Sequence, residues 1–321
     1  MSRDFPGRVV LITGSSRGLG LALAREFARR GARLVLCARD PEPLERARAD
    51  IAALGADVWA RQCDVGRKED VDELVAAATE RYGCIDVLVN NAGVILVGPV
   101  TVQTAADFEE CIRVMYLGMV YPSLAVLPDM LRRGSGRIVN ITSVGGKLSF
   151  PHLLSYNGAK FAAVGFSQGL AAEVRGRGVR VITVVPGLMR TGSHLHAFFK
   201  GKHRAEFGWF SLGATLPVLS MPAERAARRI VDAAHAGRPE LILTPQAKLA
   251  ARVAGLFPAT TVRFLSLLNR VLPREGGVGT SRRAGEESRS IISASPVTRL
   301  GDRAGRRLNQ PAASRDGPAS A

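Results

Sequence analysis

Runs of consecutive apolar residues, each closed by glycine or a polar residue, alternate with longer amphipathic stretches along residues 8–244 of the 321-residue chain. The first of these runs is Val9-Val10-Leu11-Ile12. A strand apolar at every position is buried on both faces, as in a parallel sheet covered by helices. On this pattern, strands are predicted over 8–13, 33–38, 57–62, 85–89, 137–142, 180–185 and 240–244. Helix-period stretches fall between them, up to residue 29, then over 41–54, from about 68, over 104–133, through 156–169, and over 223–236. Regular alternation of this kind implies an α/β fold: a doubly wound parallel sheet of about seven strands with helices on both faces.

The alternation lapses at 192–222 and again beyond 245. The first lapse has the character of a lid. Phe198, Phe199, Phe207, Trp209 and Phe210 make it aromatic, beside Lys200, Lys202, His203 and Arg204. Those rings suit either a pocket for a bulky apolar molecule or burial under the lid or against a second subunit. Residues 246–273 read as an amphipathic helical extension in two pieces broken at Pro258, rich in Leu, Val and Phe with sparse Arg and Lys. Such pieces rest on a membrane surface or pack across a sheet edge or a subunit boundary. From 274 to 321 Gly, Ser, Pro, Ala and Arg dominate without periodicity, the composition of a disordered tail. The division is therefore a catalytic domain over 1–245, the extension, and the tail.

Composition narrows the field. Hydrophobic residues at 46% belong to a globular protein, and 44 Lys+Arg against 28 Asp+Glu give a net charge of +16. The excess is mostly arginine spread over helix surfaces with no aromatic-interleaved patch, so nucleic acid is not an expected partner. Cys37, Cys63, Cys84 and Cys111 are scattered, and the histidines lack ligand-like spacing with carboxylates. No metal site is expected, and the cysteines suit a reducing, cytoplasmic setting. The residues ahead of the first strand offer no apolar segment for a secretory signal, and no uninterrupted run of ~20 apolar residues spans a bilayer.

Chemistry gathers at two places. Tyr156 and Lys160 lie four apart in a helix-period segment, on one face and one turn apart. An ammonium beside a phenol favours phenolate and draws the tyrosine pKa below its usual ~10, which suits Tyr156 to general acid–base work. Ser143 closes the strand at 137–142, where a hydroxyl can hold a substrate oxygen. The other place is Gly14-Ser15-Ser16-Arg17-Gly18-Leu19-Gly20, between the first strand and a helix. Its glycines let the backbone approach a pyrophosphate, whose charge the helix N-terminus holds. A tyrosine and lysine at this spacing are common in helices. Joined to the serine and the glycine turn they are specific, and over roughly residues 8–245 the chain resembles the classical short-chain dehydrogenase/reductase family.

The resemblance implies a Rossmann-like fold and hydride exchange between a nicotinamide dinucleotide and a carbonyl/alcohol pair, with Ser143, Tyr156 and Lys160 catalytic. It implies cofactor contacts from Gly14, Ser16, Arg17, Gly18, Leu19 and Gly20 in the first turn, and from Asp64 and Val65 after the third strand. Asn91, Ala92 and Gly93 follow the fourth strand and Pro186, Gly187 and Thr191 the sixth, while Tyr156 and Lys160 serve both sets. Asp64 equally suits a cap for the helix beginning near 68. The second strand ends at Ala38-Arg39 without a carboxylate for a ribose 2′-hydroxyl. Arg39 with Arg17 suits a 2′-phosphate, so NADP is favoured over NAD, with Asp40 arguing the other way. The substrate class is a bulky apolar carbonyl or alcohol of lipid, steroid, quinone or acyl type. Where the family places a catalytic asparagine this chain has Met115, which cannot act as an amide does. That substitution keeps a second reading open, a weakly active or non-enzymatic NADP-binding regulator. Gly158, Ala159, Ala162, Ala163, Gly165 and Gly169 make the helix bearing Tyr156 small-sided, and in the family this helix and the one before it form the interface of a homodimer or homotetramer.

Overall fold

The computed structural model describes residues 4–216, 219–289 and 298–310. Its centre is β1, Val9–Thr13, with every residue buried. Side chains alternate along a strand: Val10 and Ile12 enter one apolar layer, Val9 and Leu11 the other. A run apolar at every position is thus what a two-faced sheet requires.

Around β1 lie β2 (Arg33–Ala38), β3 (Val58–Gln62), β4 (Val87–Asn90), β5 (Gly136–Ile141), β6 (Val179–Val185) and β7 (Glu240–Ile242), in the order β7-β6-β5-β4-β1-β2-β3. All pairings are parallel, and Val10 sits opposite Leu34 on one side and Val87 on the other. The chain winds outward in both directions from β1, so the order reverses between β1 and β4. A cleft opens at that switch point, beyond the carboxyl ends of the strands. This is the doubly wound fold, Rossmann-like, that the apolar pattern implies.

Helices α1 (Gly18–Arg29) and α2 (Pro41–Ala52) cover one face with α8 (Ala223–Ala236), and α3 (Lys68–Tyr82), α5 (Gly118–Arg133) and α6 (Leu154–Val174) cover the other. The helix expected over 104–133 is three pieces. It starts as α4 (Ala105–Ile112), capped by Thr104 and Asp107, widens into a π-helical turn over Arg113–Leu117, and resumes as α5. Single π-turns of this kind often mark functional sites. By length and composition, Ala105–Arg133 is the one helical run among the described residues able to cross a bilayer. Here Val114, Met119, Val126 and Met130 bury its apolar side in the protein.

The lid contains α7 (His203–Thr215) and is tied down on two sides. Phe198–Phe199 pairs with Leu96–Val97 and with Arg283–Ala284 in a three-stranded ribbon. The rings of Phe199, Phe207 and Phe210 stack edge to face at 5.4 and 5.9 Å and are buried. Trp209 donates to Glu206, which also holds His152. Of the two uses open to these aromatics, burial under the lid takes most of them.

Beyond β7 the extension forms α9 (Pro245–Leu256) and α10 (Pro258–Asn269), broken at Pro258 as expected. Thr244 caps α9, accepting from the Ala247 amide at 3.2 Å. The disordered tail over 274–321 is not what the described residues show. Arg283–Ala284 completes the ribbon, and Thr298–Arg307 is a helix, α11, followed by a fully buried Leu308. Packing overrides a poor local composition here: one large apolar side chain and two glycines find places on the folded domain. Residues 290–297 and 311–321 of that stretch lie outside the described residues.

Candidate active site

The turn after β1 has the shape its glycines permit. Gly14 has φ of +61°, and a Cβ there would sit 2.7 Å from the Cα of Ala92, so the first turn rests against the turn after β4. Asn91 laces the two together by donating from its side chain to the Thr13 and Gly14 carbonyls at 3.0 Å. Gly20 does not reach the cleft. A Cβ at Gly20 would fall 2.2 Å from the Gly14 carbonyl oxygen, so it is the residue that lets α1 pack under the turn.

Every other candidate residue lines a single cavity of about 490 Å³. Gly14, Ser16, Arg17, Gly18 and Leu19 form one rim, with Arg39. Asp64, Val65, Asn91, Ala92 and Gly93 form a second side, and Pro186, Gly187 and Thr191 a third. Ser143, Tyr156 and Lys160 also face it. Residues distant in sequence converge because the βα turns of neighbouring parallel strands open on one edge of the sheet.

The Ser143 hydroxyl sits beside the Tyr156 phenol and accepts from the Gly145 amide at 3.0 Å. Gly145 makes this possible: a Cβ there would press on Tyr156 Cε1 at 3.1 Å and on Asn157 Oδ1 at 2.7 Å. The Lys160 Nζ donates to the Ile141 carbonyl at 3.0 Å. Desolvation dominates both titrating groups. It raises Tyr156 above its ordinary value against the lowering influence of the Ser143 hydroxyl, and brings Lys160 down to about 8. Lowering of the Tyr156 pKa by Lys160 is therefore not what this geometry produces. The ammonium is turned to a backbone carbonyl and lies 5.8 Å from the centroid of the phenol ring, and burial outweighs it.

Met115 is buried on the π-turn among Val94, Cys111, Val114 and Ala159, with Tyr156 packed against the group. A thioether stands where an amide was expected, and this side of the cleft is apolar. Asp64 serves mainly as a tether. Burial pushes its carboxyl up, but the Gly66 amide and the Arg113 guanidinium, at 2.9 Å each, together hold it below its ordinary value. At the other end, Arg17 pairs with Asp40 at 2.6 Å, while Arg39 is exposed.

Beyond the expected site residues, the cavity is also lined by His196 and Gln310. His196 Nε2 and Gln310 Oε1 are buried without a hydrogen-bond partner. Orphaned polar atoms and glycines that leave room over the first turn are what a cleft built for a polar, elongated cofactor presents. Among the described residues no group of His, Cys, Asp and Glu is arranged to hold a metal.

Strand order and cleft put the protein in the class of α/β oxidoreductases that use a dinucleotide. A family model for short chain dehydrogenases matches residues 8–198. The dehydrogenase/reductase SDR family protein 7-like of Drosophila melanogaster is 34% identical over 262 residues, covering 80% of this chain and 78% of that one. A variant of actinorhodin polyketide ketoreductase, solved with NADPH, superposes with a TM-score of 0.67 at 30% identity, over 76% of this chain and 97% of its own. A Burkholderia phymatum short-chain dehydrogenase/reductase in complex with NAD gives 0.72 at 26% identity, over 79% and 94%. The chain belongs to the short-chain dehydrogenase/reductase family, whose members are oxidoreductases acting on CH–OH groups with NAD(P).

Proposed function

We propose that the protein interconverts a bulky, apolar ketone or aldehyde and its alcohol, with NADP(H) as the preferred cofactor. One observation carries the reading: Ser143, Tyr156 and Lys160 face the same cavity as the glycine turn. A bound nicotinamide dinucleotide supplies or accepts the hydride. Gly14 and Leu19 would hold its phosphates with Gly18 leaving room for them, Arg17 and Arg39 would hold a 2′-phosphate, and Thr191 its nicotinamide end.

The protein's own part is position and proton. Ser143 holds the substrate oxygen, and Tyr156 donates its phenolic proton to that oxygen in the reducing direction and takes one back in the other. A raised Tyr156 pKa keeps the phenol protonated at neutral pH, the form reduction needs. Lys160, charged below about pH 8, stabilises the phenolate left behind. The apolar class of substrate is supported by Val94, Ile95, Val114, Met115 and Phe198 around the cavity. Loss of NADPH absorbance is the test, measured against ketones, quinones, steroids and acyl thioesters. Turnover of none of these would overturn the reading.

Residues 1–245 act in this reading as the catalytic domain, paired in a homodimer through α5 and α6. Gly158, Gly165 and Gly169 have open space above them, and Leu124 and Phe161 are exposed on the same side of the protein's helical layer. The extension contacts an anionic membrane surface. Leu256 on α9, Val262 and Phe264 on α10, and Phe257 between the two helices are exposed. No Asp or Glu occurs between Glu240 and Glu275, whereas Lys248, Arg252, Arg263, Arg270 and Arg274 do. Apolar and basic side chains together are what a charged lipid interface takes up.

A further inference from the structure

The chain returns to its beginning at residues 298–310. Helix α11 meets the lid through two glycines one turn apart. A Cβ on Gly301 would lie 2.5 Å from Thr215 Cγ2 and 2.9 Å from His194 Cε1, and one on Gly192 would lie 2.5 Å from the Cα of Gly305. Only a glycine face lets this helix lie so close to the start of the lid. Its end is equally built. Asn309 takes a left-handed φ of +56°, and the Gln310 amide donates to the Gly305 carbonyl at 2.8 Å, the bond that closes a Schellman turn.

Four hydrogen bonds then fix the turn on the nucleotide motif and on α2. The Gly18 amide donates to the Leu308 carbonyl at 2.9 Å, and Leu308 itself is buried among the residues under α1. Asn309 Nδ2 donates to the carbonyls of Ser16 at 2.7 Å and Pro43 at 2.9 Å. Arg46 donates to Asn309 Oδ1 at 3.1 Å. Together these place the Gln310 side chain between Gly18 and Gly192, in the wall of the cavity, with 3% of its surface exposed. Its Oε1 is buried and meets no donor, and His196 Nε2 is orphaned in the same cavity.

A buried carboxamide oxygen left unpaired is unfavourable, and a bound hydroxyl that the side chain turns to meet relieves the cost. We propose that residues 298–310 are a strap that completes the dinucleotide site, with Gln310 contacting the bound dinucleotide over the glycine turn. The inference rests on the reading of that cleft as a dinucleotide site. The chemistry recognised is that of a sugar hydroxyl: a dinucleotide carries ribose donors on both sides of its pyrophosphate, next to the phosphates that the turn holds. The cofactor is then gripped from both ends of the sequence.

The experiment is a fluorescence titration of NADPH and NADH into the full chain, into Gln310→Ala, and into a chain ending at residue 297. Gln310→Ala keeps Leu308 and Asn309, so the strap stays docked and the thermal midpoint holds. Its dissociation constant for the preferred dinucleotide should rise roughly tenfold, the loss of about one hydrogen bond. The shortened chain should lose at least as much. If the parent binds and Gln310→Ala binds equally well, the strap makes no such contact and the inference fails alone. Tighter binding by the shortened chain would also overturn it, showing residues 298–310 to be a competitor for the cleft. If the parent binds neither dinucleotide, the functional reading falls and the strap with it.

Discussion

The Lys160 ammonium lies 5.8 Å from the centroid of the Tyr156 ring and is held on the carbonyl of Ile141, the last residue of β5. A cation is thus pinned under a phenol by the backbone of the neighbouring strand. Its location is set by the sheet and its distance from the hydroxyl by the helix. The lysine can stabilise charge that develops on the phenol without holding the phenol ionised beforehand.

Replacing Tyr156 with Phe removes the transferable proton and leaves the ring in place. Turnover should fall by roughly two to four orders of magnitude, while the dissociation constant for NADPH changes little. Near-normal turnover in that variant would take Tyr156 out of the mechanism.

The reduction rate should decline as pH rises through about 8, where Lys160 loses its proton. Stability should move the other way. A lysine titrates near 10.5 when unfolded and at about 8 here, so between those values the unfolded chain binds the extra proton. The Lys160 contribution to stability therefore rises with pH across that window, against the buried Cys37 and Cys111 thiols, whose raised pKa values act the other way. In Lys160→Met the slope of stability with pH should be less positive than in the parent, as read by denaturant melts at pH 8 and 10; an equal slope would show that Lys160 does not titrate in this window.

The lid is clamped by a buried pair. Lys200 reaches Asp107 at 2.5 Å, and Arg282 reaches the other oxygen of the same carboxylate at 2.6 Å. Asp107→Ala leaves the Lys200 charge buried and unpaired, which should cost about 3–5 kcal/mol. A melting temperature unchanged from the parent would show that the clamp contributes nothing.

Arg39→Asp should shift the ratio of kcat/KM values from NADPH toward NADH by roughly tenfold or more, since it puts a carboxylate where a 2′-phosphate is expected. Asp40→Ala should act oppositely by freeing Arg17 from its 2.6 Å pair. Equal ratios in the parent and both variants would remove these residues from cofactor choice.

On vesicles containing phosphatidylserine, the parent should sediment and the double variant Leu256→Asp, Phe264→Asp should stay in the supernatant. Both side chains are mostly exposed, so folding is unaffected. Binding by the double variant at parental strength would rule out the extension as the lipid contact.

Much of this protein could be read before any coordinates. Consecutive apolar residues at 9–12 require a strand with two covered faces, and the same pattern repeated between helices leaves few arrangements other than a doubly wound sheet. Ser143, Tyr156 and Lys160 were legible because strand end and helical spacing place side chains by local geometry. The packing role of Gly20 was not legible, for the opposite reason. A glycine that admits a ligand and one that admits another stretch of backbone look alike in sequence, and the 2.2 Å approach to the Gly14 carbonyl distinguishes them only in three dimensions.

The sequence by itself determined the periodicities, the turn after β1 and the spacing that makes Ser143, Tyr156 and Lys160 candidates, all governed by interactions among near neighbours. Tertiary structure decided what depends on distant contacts. Burial, not the lysine charge, dominates the Tyr156 pKa, because desolvation is a property of the assembled core. Residues 298–310 fold although their composition promises little, because Gly301, Gly305, Leu308 and Asn309 find partners far from them in the chain. No local pattern encodes such a fit; it exists once the two ends of the protein meet.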